Sequence, residues 1–296
     1  MIFDINIQAL ININFCSILK LLFAMSFMMI YVSTKIFSIT HAAVITLGAY
    51  FTYMISMQAH FPIWLAIPLA IVLATAVGIG TELGIYKPLR KLGATPLIML
   101  IASLGLYVVL QNCISILWGD DTKSIRTWEV KVGNEFFGAY ITDIQIIIIA
   151  VSLTLFVLCL LFLHYSKMGK QIQAVSSNEE LANIFGINSD KVILWSFGIG
   201  SALGSIAGIL VSLDTDMTPT MGFNLLLYGI VAMIIGGVGS YWGLVGGALL
   251  LATAQHLSAY YIDSKWMDAV AYIILILFLL WKPLGFSGRR LKKVEL

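Results

Sequence analysis

The sequence predicts an all-α integral membrane protein, a polytopic bundle of about eight or nine transmembrane helices. Three observations carry this expectation. Of 296 residues, 60% are hydrophobic and only 11% charged, against about 25% charged in an ordinary soluble domain. Such a chain cannot build the charged shell that water demands. The mean hydropathy is +0.96. Charge-free runs of about 20 residues, the length a helix needs to cross the hydrocarbon core, recur along the chain.

The spans follow in order. The first covers residues 11–34, preceded by an interfacial stretch. It carries Lys20, which either snorkels to a surface or faces the protein interior. Runs without Asp, Glu, Lys or Arg then fall at 36–59, 61–81, 92–119, 144–163 and 192–213. The second is the candidate for a broken or re-entrant segment, and the count of eight or nine turns on it. The stretch 217–262 also lacks formal charge. As one helix it would measure about 69 Å, twice the bilayer core. It must therefore fold back, and the break belongs at the run Gly236 to Gly243, because glycine and serine punctuate helices. The last span, 266–281, has a tryptophan at each end, where aromatic belts sit.

Loop charges set the orientation. Lys87, Arg90 and Lys91 occupy a loop without acids, which belongs in the cytoplasm. The C-terminal tail holds Arg289, Arg290, Lys292 and Lys293 against Glu295, so the C-terminus is expected there too. The segment 120–143 holds five acids and three bases and belongs outside, as does the connection bearing Asp214 and Asp216. With nine spans the N-terminus falls outside.

Several functions are disfavoured. A net charge of +2 gives no footprint for nucleic acid. Cys16, Cys113 and Cys159 lie in apolar runs without paired spacing, so no metal or redox role is expected. His41, His60, His164 and His256 are scattered, so no catalytic residue is assigned. Gly169-Lys170 lacks the glycine-rich loop of a nucleotide site, so the chain does not bind ATP itself. No cleavable signal peptide is expected.

Two polar features invite a role. Residues 165–191 form the main cytoplasmic loop within a single transmembrane domain spanning 1–296. Ser177 to Phe185 reads as a short helix, capped by Ser177 or Asn178, with Glu179 and Glu180 favouring its dipole. Leu181, Ile184 and Phe185 share a face, and Gly186 ends the helix. On pattern alone it either docks into a partner or lies on the membrane against its own protein. Within the spans, His41, Gln111, Asn112, Asn224, Gln255 and His256 either bond neighbouring helices or line a path. Gly236, Gly237 and Gly239 let backbone groups line a cavity, and the run around His41 and Gly48 is the candidate counterpart in an inverted repeat. Gly200, Gly204 and Gly208 put small residues on one helix face for close packing.

The ordered set of these motifs resembles the permeases of branched-chain amino acid-type ABC importers. The matching loop positions are Gly169, Lys170, Ala174, Val175, Asn178, Leu181, Ala182, Gly186 and Ile187. The glycines of the following span, the run Gly236 to Gly247 and the ending Lys282 to Phe286 continue the likeness. The N-terminal part departs from it: Ser38-Ile39-Thr40-His41-Ala42 stands where the family carries Asn-Phe-Ala-His-Gly.

The resemblance implies a bacterial inner-membrane permease. Cytoplasmic ATP-binding subunits would grip the loop at Gly169, Ala174, Asn178, Glu179, Glu180, Leu181, Ala182 and Gly186, and would spend the ATP. A solute-binding protein would deliver amino acids from outside. A second permease chain, paralogue or self, would complete a path through His41, Gln111, Asn112, Gly236, Gly237 and Gly239. A permease for urea or short amides shares the pattern. A stand-alone secondary transporter is the further alternative, disfavoured by the lack of a well-placed intramembrane carboxylate.

Overall fold

The computed structural model describes residues 7–126, 133–136, 139–282 and 284–286. The basic tail from Arg289 onward therefore lies outside the described residues, as do Glu129 and Lys131. The chain groups into two compact units. One comprises Met1–Met25, Trp128–Phe156 and Tyr228–Leu296, the other Ser26–Thr127 and Val157–Leu227.

The protein is a multi-pass helical membrane protein. Among the described residues, six helices are long and apolar enough to cross a bilayer, or seven when one sharply bent pair is counted as a span. Among the described residues, helix α1 (Ile7–Thr34) is one continuous helix, which takes in residues 7–10 ahead of the expected span. It ends where Lys35 takes φ +58°. Helix α2 (His41–Tyr53) continues as a π turn over Met54–Gln58. Its 13 residues and the 5 of the π turn together rise about 27 Å, close to the thickness of the hydrocarbon core. The all-α polytopic bundle expected from the sequence is borne out.

Helix α3 (Ile63–Thr81) does not stop at the end of its apolar run. It passes through a π turn (Glu82–Tyr86) into α4 (Lys87–Lys91), making one element of 29 residues. Pro88 has no N–H to offer Gly84, and the turn before it widens so that the Lys87 N–H reaches the Glu82 carbonyl instead. Gly93 (φ +71°) then ends the helix. Helix α5 (Pro96–Trp118) is capped by Thr95, whose hydroxyl accepts from the Ile98 N–H. A small antiparallel hairpin, β1 (Asn134–Phe136) with β2 (Ala139–Ile141), precedes α6 (Asp143–Tyr165). The loop after α6 holds α7 (Lys167–Ser177) and α8 (Glu179–Ile184). Helix α9 (Ser189–Asp214) returns through the membrane. Helices α10 (Met221–Gly236) and α11 (Tyr241–Tyr261) meet at a bend of 119°. A short 3₁₀ turn leads into α12 (Met267–Trp281).

In the second unit, α2, α3 and α9 pack on one another through small residues. Ala66, Ala70, Ala74 and Gly78 make a buried stripe at four-residue spacing along α3. A Cβ at Gly48 would lie 2.7 Å from the Ser205 Cα, and one at Gly78 would overlap the Ser201 side chain. The α9 face foreseen from spacing is used as expected. Gly200 abuts Ile30 and the Ser26 carbonyl, Gly204 abuts His41, and Gly208 abuts the Ile45 carbonyl. Between helices, where lipid gives no hydrophobic drive, such approach supplies the dispersion contact that holds the unit.

In the first unit, Lys20 is 8% exposed and faces the interior. Its ammonium lies 5.8 Å from the centre of the Tyr228 ring, a cation–π distance. The Tyr228 hydroxyl donates to the Asp268 carboxylate. Lys20 thus does not snorkel.

Candidate functional site

The loop between α6 and α9 is built from three side-chain caps, Ser166, Asn178 and Asn188. The Ser166 hydroxyl accepts from the Gly169 N–H at 2.8 Å and starts α7. Gly169 rests on the Phe162 carbonyl and the Leu163 backbone, where a Cβ would not fit. The Gln173 amide donates back to the Leu163 carbonyl at 2.8 Å. Gly169, Ile172 and Val175 are the buried residues of α7, so this helix lies with one edge against its own protein. Sequence reading foresaw only the second helix here. The polar residues of α7 read as loop, although the 169, 172, 175 spacing is helical.

Helix α8 begins as the sequence indicates. The Asn178 side chain accepts from the Leu181 N–H at 2.9 Å, and Glu179 and Glu180 occupy the first turn. Asn178, rather than Ser177, is the cap. Gly186 takes φ +82°, a conformation that glycine adopts without strain. The Ile187 N–H bonds the Ala182 carbonyl there. Ala182 is buried, whereas Leu181, Ile184 and Phe185 are 50%, 80% and 77% exposed. Three large apolar side chains thus stand free on a capped helix of a polar loop. Ala174 lies in the last turns of α7, and the Asn178 N–H bonds its carbonyl.

Of the path candidates, His41, Gln111 and Asn112 belong to the second unit and Gly236, Gly237 and Gly239 to the first. His41 is 2% exposed. Its Nε2 is 3.1 Å from the Ser26 hydroxyl, and a Cβ at Gly204 would lie 2.7 Å from the same nitrogen. The ring is enclosed by packing. Gln111 and Asn112 share a turn of α5. The Asn112 amide donates to the Val108 carbonyl of its own helix at 2.7 Å, and the side chain is exposed. Gly236, Gly237 and Gly239 share the bend between α10 and α11. A Cβ at Gly236 would collide with the Gly243 backbone. Gly237 (φ +96°) and Gly239 (φ +84°) turn the chain, and the Ser240 hydroxyl, accepting from the Gly243 N–H at 3.1 Å, restarts it as α11.

One group of residues escaped sequence reading. Glu82 is 1% exposed, and the Arg90 guanidinium donates to its Oε1 at 2.6 Å. Asp190, in the first turn of α9, lies 3.7 Å from Arg90 and 3.2 Å from the Lys87 ammonium. At the other end of this unit, Arg126 donates to the Asp214 carbonyl at 3.0 Å and to the Asp216 carboxylate at 2.7 Å. That hydrogen bond holds the Asp216 carboxyl below its ordinary range. Among the described residues, no group of three His, Cys, Asp or Glu side chains is placed to hold a metal ion.

Residues 9–279 match the family described as branched-chain amino acid transport system, permease component. The chain is 32% identical over 282 residues to the high-affinity branched-chain amino acid transport system permease protein LivH of Salmonella typhimurium. That alignment covers 90% of this chain and 91% of the relative. It is 30% identical over 283 residues to the permease protein BraD of Pseudomonas aeruginosa, with the same coverage of each. Its fold is similar to a chain of PsaBC from Streptococcus pneumoniae, solved in complex with Fab. The TM-score is 0.51 at 13% identity, over 93% of this chain and 92% of that one.

Proposed function

Given that the chain belongs to the branched-chain amino acid transport permeases, a family of transport proteins rather than enzymes, we propose that it is the membrane-spanning subunit of an ATP-driven importer of amino acids. Branched-chain amino acids are the solutes of choice, after the names of its relatives. A solute-binding protein presents the amino acid at the outer face. This chain and a second permease carry it across. Cytoplasmic ATP-binding subunits supply the energy, in a bacterial inner membrane with the C-terminus inside.

The observation that carries this reading is α8. A short helix with a firm cap and an exposed Leu181, Ile184, Phe185 face is shaped to enter a groove on a partner. Helix-in-groove recognition reads apolar anchors at three- and four-residue spacing. Its loop follows α6 on the side assigned to the cytoplasm by Lys87, Arg90 and Lys91. Gly169, Ala174 and Gly186 shape the loop, Asn178, Glu179 and Glu180 start its second helix, and Ala182 seats that helix.

The test is affinity purification of the tagged chain from gently solubilised membranes, with mass spectrometry of its companions. An ATP-binding subunit and a second permease are expected. Glu180→Lys with Leu181→Asp reverses one charge and spoils one apolar anchor, and is expected to release the ATP-binding subunit. Retention of that subunit by the double variant refutes docking through α8. Solute uptake into liposomes by the chain alone, without ATP, refutes the importer reading in favour of a secondary transporter.

A further inference from the structure

The second unit contains two sets of polar contacts joined by the π turn Glu82–Tyr86, one starting at the α7–α8 loop and the other ending at the first turn of α2. At the loop end, the Asn183 side chain of α8 accepts from the Ser189 N–H at 3.2 Å, at the first residue of α9. The next residue, Asp190, holds Lys87 and Arg90 of α4. Arg90 holds Glu82 across the π turn. Four residues on from Glu82, in that same turn, stands Tyr86, fully buried against Phe197 with ring centres 5.5 Å apart.

The Tyr86 hydroxyl is 3.0 Å from the Ser38 hydroxyl and 2.8 Å from the Thr40 hydroxyl. The directions of these bonds follow from hydroxyl valence. Thr40 gives its proton to the Ser103 carbonyl at 2.9 Å. It must therefore accept from Tyr86, and Tyr86 accepts from Ser38. The Thr40 N–H also bonds the Ser103 hydroxyl at 3.1 Å. Residues 38–40 in turn accept from the N–H groups of His41, Ala42 and Ala43, which open α2.

Two features suit this series to movement rather than to mere adhesion. The Glu82–Arg90 pair is made through one oxygen and one nitrogen only. Glu82 Oε2 and Arg90 Nη1 are buried without a protein partner, so a second bond is available if α4 turns. The joint between them is a π turn, a helical irregularity frequent at functional sites.

We propose that Asp190, Arg90, Glu82 and Tyr86 form a mechanical linkage that passes displacement of the α7–α8 loop to the start of α2. Asp190 and Tyr86 are its positioning residues for transport. The linkage rests on the importer reading for the source of the displacement. The contacts themselves belong to this chain alone.

The experiment is a double-variant cycle on the full chain in lipid nanodiscs. Asp190→Ala perturbs the loop end, and Tyr86→Phe removes one hydroxyl in mid-series while keeping the ring. Hydrogen exchange is read at the amides of His41, Ala42 and Ala43. Asp190→Ala is expected to speed exchange about fivefold or more in the wild-type background and to add little in the Tyr86→Phe background, as for coupled neighbours. Effects that multiply independently overturn the linkage, as does no effect of Asp190→Ala at α2. In the assembled complex, both variants are expected to keep the ATP-binding subunit and to lower uptake per ATP hydrolysed. Thr40→Ser, which keeps the hydroxyl, is expected to retain wild-type coupling, and Thr40→Val to lose it. Unchanged uptake per ATP in Tyr86→Phe overturns the proposal, and so does loss of the ATP-binding subunit, which would make these residues part of docking instead. ATP-independent transport by the wild-type chain would count against the importer reading only, since the exchange cycle needs no ATP.

Discussion

Removing Glu82 should expose what the buried ion pair contributes. In Glu82→Leu, Arg90 loses the bond of 2.6 Å and keeps only Asp190 at 3.7 Å. Breaking a buried pair from one side costs about 3–5 kcal/mol, because the remaining charge stays desolvated. Here the Arg90 side chain is 20% exposed and Asp190 40%, so the residual contact and some water soften the loss to about 2–3 kcal/mol. Removing both charges is a different matter. Glu82→Leu with Arg90→Leu fills the same space with apolar groups, and such replacements are neutral or better because the desolvation cost disappears with the attraction. The double variant should therefore recover most of the loss, with a coupling energy of about 2 kcal/mol. The assay is the unfolding midpoint in detergent, followed by tryptophan fluorescence, for the wild type, both single variants and the double. A single variant within about 0.5 kcal/mol of wild type, or a double variant no more stable than Glu82→Leu, would refute the reasoning.

Three further outcomes follow from the contacts described. Gly208→Ala would press a Cβ into the Ile45 carbonyl and should cost about 1–3 kcal/mol by overpacking. Gly105→Ala, which meets nothing within 4 Å, should gain about 0.5–1 kcal/mol in a helix interior, so the two unfolding midpoints move in opposite directions. Asn178→Ala removes the cap of α8 at about 1 kcal/mol, and hydrogen exchange should quicken at 179–185 while α9 keeps its protection. The Asp216 carboxyl is held low by Arg126. A depressed carboxyl contributes stability above its unfolded value of 3.8 and loses it as pH falls through the folded value. Exchange in 215–220 should therefore rise below about pH 4 in wild type, with no such rise in Arg126→Met.

The spans were legible because desolvation in lipid depends on composition over about 20 residues, and charge-free runs report composition directly. Helix ends in the polar loop were legible too. Asn178 acts through its side chain on the Leu181 N–H three residues on, and Gly186 through its own backbone conformation. What escaped depends on neighbours distant in sequence or on local widening. Glu82 stands just past an apolar run and reads as its boundary. Its partner Arg90 is eight residues on, twice the spacing at which helical charges ordinarily meet, and the π turn between them brings the two together. His41 stood out as a polar residue in a span. Its enclosure depends on Ser26 and Gly204, which no local pattern ties to it. Helix α7 was hidden by its polar composition, although Gly169, Ile172 and Val175 mark the buried edge.

The second unit is held unequally at its two ends, and the inequality has a direction. Its middle, where α2, α3 and α9 meet, is joined by contacts of Gly48, Gly78, Gly204 and Gly208 with no intervening Cβ. Such contacts fall off steeply with distance, so the three helices move together or separate. They do not stretch. One end is tied by Arg126 and Asp216, whose side chains are 22% and 48% exposed. A pair so open to water is worth about 0–1 kcal/mol. The other end is tied by Glu82 and Arg90, buried and backed by Asp190 and Lys87. Breaking that tie costs several times more. Under the proposed docking, a displacement entering beside α8 would meet the stiff end first, be carried by α2, α3 and α9 as one body, and give way at Arg126 and Asp216. Strengthening that weak end, for example with a disulfide between positions 123 and 217, which oppose each other in an antiparallel bridge, should leave ATP-binding subunits attached while slowing uptake. Uptake at the wild-type rate with the bridge closed would show that the far end of this unit does not need to open.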